Sequence, residues 1–241
     1  MKTNIQDKVK EASYFQNRGV GSDYMTYYKI PLYLQKVLPD DKNAKILDIG
    51  CGFGFVLKSV RECGYADIHG IDISDEAVST CKKNGLNVQK ITDLTSFFDT
   101  NKTRYDFVIL THVIEHIDKE ILLQTLSDIK SKLLSPGGKL YLTTPNAQSN
   151  TGCYWRYEDF THTTIFTSGS MIYALKSAGY NDIAFLDPND TDKHSLPMKY
   201  LKLSLLKIFK LNVKFWNKVT GTSFHGPSPE IYTFELKVLA K

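Results

Sequence analysis

From Ala44 onward the chain alternates short apolar runs with helical stretches, and this alternation restricts the fold more than any other property of the sequence. The runs are AKILDIG (44–50), ADIHGIDI (66–73), LNVQKI (86–91), YDFVILT (105–111) and GKLYLTT (138–144). Between them, Phe53 to Cys63, Ser74 to Asn84 and about Asp118 to Leu134 read as helices. Buried, β-branched strands separated by helices belong to a parallel sheet covered on both faces. A further helix at Ser168 to Ala178 and strands at YNDIAFLD (180–187) and IYTFELKVLA (231–240) complete an α/β fold. The expected architecture is a doubly wound, mostly parallel, seven-stranded sheet. Ser74 is a good N-cap, Asp75 and Glu76 put negative charge in the first helical turn, and SPGG (135–138) is expected to end the long helix and turn the chain.

At 241 residues the chain suits one domain with embellishments. The expected divisions are an N-terminal helical cap (1–43), a core (44–186) with a substrate loop (147–167), a basic amphipathic helical insertion (187–229) and a last strand (230–241). No apolar run approaches the roughly 20 residues that span a bilayer, and MKTNIQDKVKEAS carries no apolar leader, so a cytoplasmic protein is expected. Cys51, Cys63, Cys81 and Cys153 form no C-x-x-C pair and read as reduced thiols. Seven lysines (Lys193, Lys199, Lys202, Lys207, Lys210, Lys214, Lys218) share a stretch without an acid. Setting them aside from the 30 basic residues leaves 23 against 26 acidic, which argues against a nucleic-acid partner.

In such sheets the ligand lies beyond the carboxyl ends of the strands. After the first strand, Asp48, Gly50, Cys51, Gly52 and Gly54 form a glycine-rich turn that lets backbone approach a ligand. Counting from Gly50 and Gly52, the third glycine of a dinucleotide fingerprint would fall at Phe55, which disfavours NAD. Asp72, with Ile73 beside it, ends the second strand where a ribose diol could be bound. Asp93 follows the third, either as an acceptor for an adenine amino group or as an acidic helix start, with Leu94 and Phe97 available to pack on a base. The fourth strand ends in Thr111, His112, Glu115 and His116, an H-x-x-E-H pattern shared with inverted zinc peptidases.

ILDIGCGFG, GIDIS, YDFVILTHVIEHI and LSPGGKLYLTTPN, in this order and spacing, resemble the class I S-adenosylmethionine-dependent methyltransferases over about Lys45 to Asn146. The resemblance implies a Rossmann-like methyltransferase fold and S-adenosyl-L-methionine as cofactor, with S-adenosyl-L-homocysteine as product. It assigns Asp48 to Gly54 to the methionine part, Asp72 to the ribose, Asp93 and Leu94 to the adenine, and His112 and Glu115 to the cofactor pocket. A zinc peptidase would need a third protein ligand, and none stands out in the sequence, so no metal is expected.

RYEDFTHTTIFTSGSMIYALKSAGY resembles a subgroup of these enzymes associated with surface glycans. His162 is the candidate base and Asp159 its partner, although both can also brace the loop through hydrogen bonds. Trp155, Arg156 and Tyr157 are candidates to hold a sugar or a phosphate, and Asn146, at the end of TTPN, joins them. The segment 14–39 reads as a helix before the core, with Tyr14, Arg18 and Tyr24 positioned to fold over the cofactor. In 197–218, Lys207, Lys210, Lys214 and Lys218 share one helical face, and Leu201, Leu205, Ile208, Phe209 and Trp216 lie opposite. Such a helix can present a solvated face over its own domain's core, cap the active site, lie peripherally on an anionic membrane at the inner face, or form a dimer interface. The expected function is O-methylation of a small-molecule acceptor, an activated sugar or phosphate-bearing precursor, in bacterial capsule or other surface-polysaccharide biosynthesis. Methylation of a quinone or amine and non-catalytic cofactor binding are the alternatives.

Overall fold

The computed structural model describes residues 14–25 and 27–241. Seven strands, β1 (Ile46–Ile49), β2 (Ile68–Asp72), β3 (Val88–Lys90), β4 (Tyr105–Thr111), β5 (Leu134–Pro145), β6 (Ile183–Phe185) and β7 (Glu235–Ala240), form one sheet. Its order is β3-β2-β1-β4-β5-β7-β6. The first five strands pair in parallel, and β7 runs antiparallel between β5 and β6. The order reverses between β1 and β4, which opens a crevice at their carboxyl ends.

The helices are α1 (Leu32–Gln35), α2 (Phe55–Glu62), α3 (Asp75–Lys83), α4 (Leu94–Thr100), α5 (Lys119–Asp128), α6 (Gly152–Glu158), α7 (Ser168–Ser177) and α8 (Leu196–Thr220). Their starts follow side-chain chemistry. The Ser74 hydroxyl accepts from the Ala77 N–H at the head of α3, and Thr167 and Ser170 form a reciprocal capping box on α7. Phe107, Val108, Ile109 and Leu110 of β4 are fully buried between the helical layers, each side chain contributing about 1.5–3 kcal/mol of burial.

Three local expectations change. The long helix narrows to α5 and widens into a π-helical segment, Ile129–Leu133. SPGG is no free turn: Leu134 pairs with Tyr105 and Lys139 with Phe107, so residues 135–138 bulge out within β5. Among the described residues of 14–39, helix is confined to 14–17 and α1, because left-handed Gly19 and then Gly21 and Pro31 interrupt it. The part of the N-terminal cap before residue 14 lies outside the described residues. α8 has no buried residue, and Leu205, Ile208, Leu211, Phe215 and Trp216 are all exposed. Among the described residues no helix is long and apolar enough to cross a membrane.

Candidate active site

β1 ends in a turn whose three glycines, Gly50, Gly52 and Gly54, all have left-handed φ, between 52° and 80°. A side chain at Gly50 would place its Cβ 2.4 Å from Cγ2 of Val113, so this turn packs directly on the loop after β4. Asp72, at the end of β2, accepts the Gly52 N–H with Oδ2 and the Ser74 N–H with Oδ1, each at 2.8 Å. A carboxylate offers about four lone-pair positions, so capacity remains for a hydroxyl pair. Burial raises the Asp72 pKa against the opposing pull of those N–H donors. Asp48 is 1 % exposed, its Oδ2 is buried without a partner, and burial next to Asp72 pushes its pKa well up. Ile73 is exposed on the same edge.

Asp93 is first of all a helix cap: Oδ1 accepts the Ser96 N–H at 2.8 Å and Oδ2 accepts the Ser96 hydroxyl at 2.7 Å. These bonds hold its pKa below the usual carboxyl range. Leu94 beside it is half-buried, whereas Phe97 is sunk in the core and unavailable to a base.

The loop after β4 is the most constrained part of the edge. Thr111 pairs with Thr143 of β5, and His112 then adopts φ +53°, a strained conformation for a non-glycine residue that costs about 1–3 kcal/mol. Its backbone N–H donates to the Thr143 carbonyl, Nδ1 lies 3.1 Å from Glu115 Oε1, and Nε2 lies 2.8 Å from Glu235 Oε1. Burial disfavours the imidazolium, but the two carboxylates prevail and raise its pKa to about 10. Glu115 is fully buried. Burial raises its pKa, His112 lowers it with a larger net effect, and its Oε2 has no partner. Its backbone carbonyl accepts from the Thr163 N–H at 2.8 Å, which ties this loop to the 147–167 loop.

The 147–167 loop contains α6 and folds back onto the H-x-x-E-H segment. His162 is 7 % exposed; its Nδ1 lies 2.6 Å from the Trp155 carbonyl and its Nε2 lies 3.8 Å from Asp159 Oδ2. Its ring stands against His116 with centroids 4.7 Å apart. Asp159 accepts from the Thr161 N–H and hydroxyl with Oδ1 and from the Tyr14 hydroxyl with Oδ2 at 2.8 Å. Burial works against its charge, and these donors overcome it to hold the pKa at about 2. Arg18 lies 3.7 Å from the same carboxylate, and the ring of Phe15 stacks at 4.5 Å on Phe53 of the glycine turn. Residues 14–18 thus strap the glycine turn to the 147–167 loop, while Tyr24 is exposed and takes no part in these contacts.

The substrate candidates divide. Asn146 is fully buried and its amide group is spent on the chain: Nδ2 donates to the carbonyls of Ile231 and Thr233, and Oδ1 accepts from Gln148. It anchors the loop rather than facing an acceptor, and the carbonyls it holds lie just before β7, which begins at Glu235 rather than Ile231. Arg156 donates to the His162 carbonyl and lies over the Tyr157 ring, Tyr157 is exposed, and Trp155 packs on Phe234. Glu235, Thr161, Phe15 and Val113 are the contributors that local patterns do not reveal. A groove of about 680 Å³ lined by Arg104, Lys130, Pro136 and Lys241 lies at the opposite, amino-terminal edge, away from all of these groups.

Residues 23–184 match the family model described as a methyltransferase domain. The ubiquinone biosynthesis O-methyltransferase of Xanthomonas oryzae pv. oryzae (strain PXO99A) is 31% identical over 116 residues, 44% of this chain and 45% of that protein. The mitochondrial ubiquinone biosynthesis O-methyltransferase of Homo sapiens is 33% identical over 110 residues, 42% of this chain and 29% of that protein. The chain therefore spans less than half the length of these curated relatives. Among solved structures, a SAM-dependent methyltransferase from Archaeoglobus fulgidus shares the fold with TM-score 0.63 at 20% identity, covering 94% of this chain and 97% of that one. Phosphoethanolamine N-methyltransferase 2 of Haemonchus contortus has TM-score 0.63 at 14% identity, covering 99% and 60%.

Proposed function

Since the chain belongs to the methyltransferase domain family and uses S-adenosylmethionine, we propose that it transfers the methyl group to a hydroxyl of a small acceptor held under the substrate loop. When bound, the cofactor supplies an electrophilic methyl group on a sulfonium. The chain's residues fit it. The left-handed turn at Gly50 to Gly54 brings backbone to the edge, the orphaned Asp48 carboxyl can meet an ammonium group, Asp72 has acceptor capacity left for a ribose diol, and half-buried Leu94 offers an apolar surface to a base.

The observation that carries the acceptor reading is His162. Its Nδ1–H is committed to the Trp155 carbonyl, which holds the ring and leaves Nε2 with a free lone pair, and the buried Asp159 carboxylate 3.8 Å from Nε2 can stabilise the positive charge the ring gains on taking a proton. Such an imidazole can take a hydroxyl proton during an in-line displacement. We extend this to an activated sugar or phosphate-bearing precursor of a surface polysaccharide, on the resemblance of residues 156–180 to glycan-associated methyltransferases. A phenolic hydroxyl on a quinone precursor is the second reading, favoured by the names of the O-methyltransferase relatives. Incubation with S-adenosylmethionine and panels of sugar nucleotides, phosphosugars and catechol-type quinone precursors, read by mass spectrometry, tests both. Methylation confined to one panel selects that reading, and methylation of amines alone refutes O-transfer.

We also assign α8 to an anionic membrane surface, because its apolar residues are exposed and its charged residues are lysines without acids. Sedimentation with phosphatidylglycerol vesicles that is lost when Lys207, Lys210, Lys214 and Lys218 become glutamate supports this; no sedimentation of the intact protein removes it.

A further inference from the structure

Glu115, His116 and His162 each present a ligating atom, and these atoms lie within 4.8 Å of one another. The hydrogen-bond network shows which atom of each residue is left free to ligate. Glu115 Oε1 is engaged by His112, leaving Oε2, which is buried with no partner. His162 Nδ1 is 2.6 Å from the Trp155 carbonyl, an acceptor only, so this nitrogen carries the proton and Nε2 the lone pair. His116 Nδ1 is 2.8 Å from the Thr161 hydroxyl oxygen, and that hydroxyl donates to Asp159 Oδ1 at 2.6 Å. Thr161 must therefore accept from His116, which again leaves Nε2 unprotonated.

We infer that Glu115 Oε2 and the Nε2 atoms of His116 and His162 form a binding site for a divalent first-row transition cation of the zinc or cobalt type. Two imidazoles and a carboxylate on one side of an ion are a recurrent ligand set that leaves positions open for substrate. Each histidine donates its other ring nitrogen to a fixed acceptor, the arrangement that orients metal-bound imidazoles. Ligands about 2.1 Å from one ion lie at most about 4.2 Å apart, so small side-chain rotations close the site. His112 is no ligand, because Glu115 and Glu235 hold both of its nitrogens. The third ligand that the H-x-x-E-H pattern lacks locally comes from the substrate loop.

The inference rests on the methyl-transfer reading and changes the part His162 plays in it, from proton acceptor to ligand. An acceptor hydroxyl bound at an open position would lose its proton to solvent more readily, because the cation stabilises the resulting oxygen anion.

The test uses the full chain, stripped with a chelator and reloaded with zinc or cobalt. Elemental analysis after gel filtration measures retained zinc, the visible spectrum of the cobalt form reports ligand geometry, and S-adenosylhomocysteine binding is titrated on the same samples. One equivalent of zinc is expected, with a cobalt d–d band, and both fall at least tenfold in occupancy in His116→Ala and His162→Ala but not in the exposed-loop control His225→Ala. Glu115→Gln, which keeps the side-chain shape, replaces any histidine variant that does not fold. Trace zinc in a wild type that binds S-adenosylhomocysteine overturns the inference and leaves the methyltransferase reading intact. Stoichiometric zinc without S-adenosylhomocysteine binding supports the site and refutes that reading. Zinc retained equally by wild type and both histidine variants also overturns it.

Discussion

Gly50→Ala separates backbone strain from steric coupling at the joint between the glycine turn after β1 and the loop after β4. The residue has φ +68°, and an L side chain in this region costs about 1–2 kcal/mol. The new Cβ would lie 2.4 Å from Val113 Cγ2 and 3.6 Å from Val113 Cβ, so Val113 must move by about 1 Å. Overpacking of this kind adds about 1–3 kcal/mol, for a total of about 2–5 kcal/mol. Val113→Ala alone removes half-buried methyl groups and costs about 1 kcal/mol. In the double variant the clash disappears and the strain stays, so the total is about 2–3 kcal/mol, less than the sum by roughly 1–3 kcal/mol. Urea denaturation of the four proteins measures this coupling. S-adenosylhomocysteine titration should show binding weakened in Gly50→Ala and partly restored in the double variant, because Val113 carries His112 with it. Strict additivity in stability would refute the packing argument.

Two further outcomes follow from charged groups. Tyr14→Phe removes the hydroxyl donated to the buried Asp159 carboxylate and should cost about 1.5–3 kcal/mol in denaturation, with faster proteolytic cleavage before Phe15 as the strap loosens. Asp190 is buried in part, which opposes its charge, but Lys202, Lys193 and Lys237 together hold its pKa well below the ordinary carboxyl value of 3.8. A depressed pKa means that its stabilisation is present above pH 3.8 and fades as pH falls below it, so wild type and Asp190→Ala should differ in melting temperature at pH 7 and converge in strong acid.

What the sequence made legible is what short-range chemistry encodes. The glycine turn, the strand-terminal Asp72 and the cap at Ser74 all act within a few residues of themselves, and parallel burial leaves its mark on each strand. Contacts made by distant residues leave no such mark: Tyr14 meets Asp159 across 145 positions and His112 meets Glu235 across 123. Asp93 was ambiguous because capping and ligand binding use the same carboxylate. Asn146 read as a site residue because its position at a strand end says nothing of the carbonyls its amide group holds. The SPGG bulge depends on the register between β4 and β5, which a turn motif alone does not specify.

Cofactor binding at the β1–β2 edge is tested most directly by calorimetric titration of S-adenosylhomocysteine into the wild type and Asp72→Ala. Tight, saturable binding to the wild type, weakened at least tenfold in a folded Asp72→Ala, is the predicted result. No binding by the folded wild type, or equal binding by both, would contradict it.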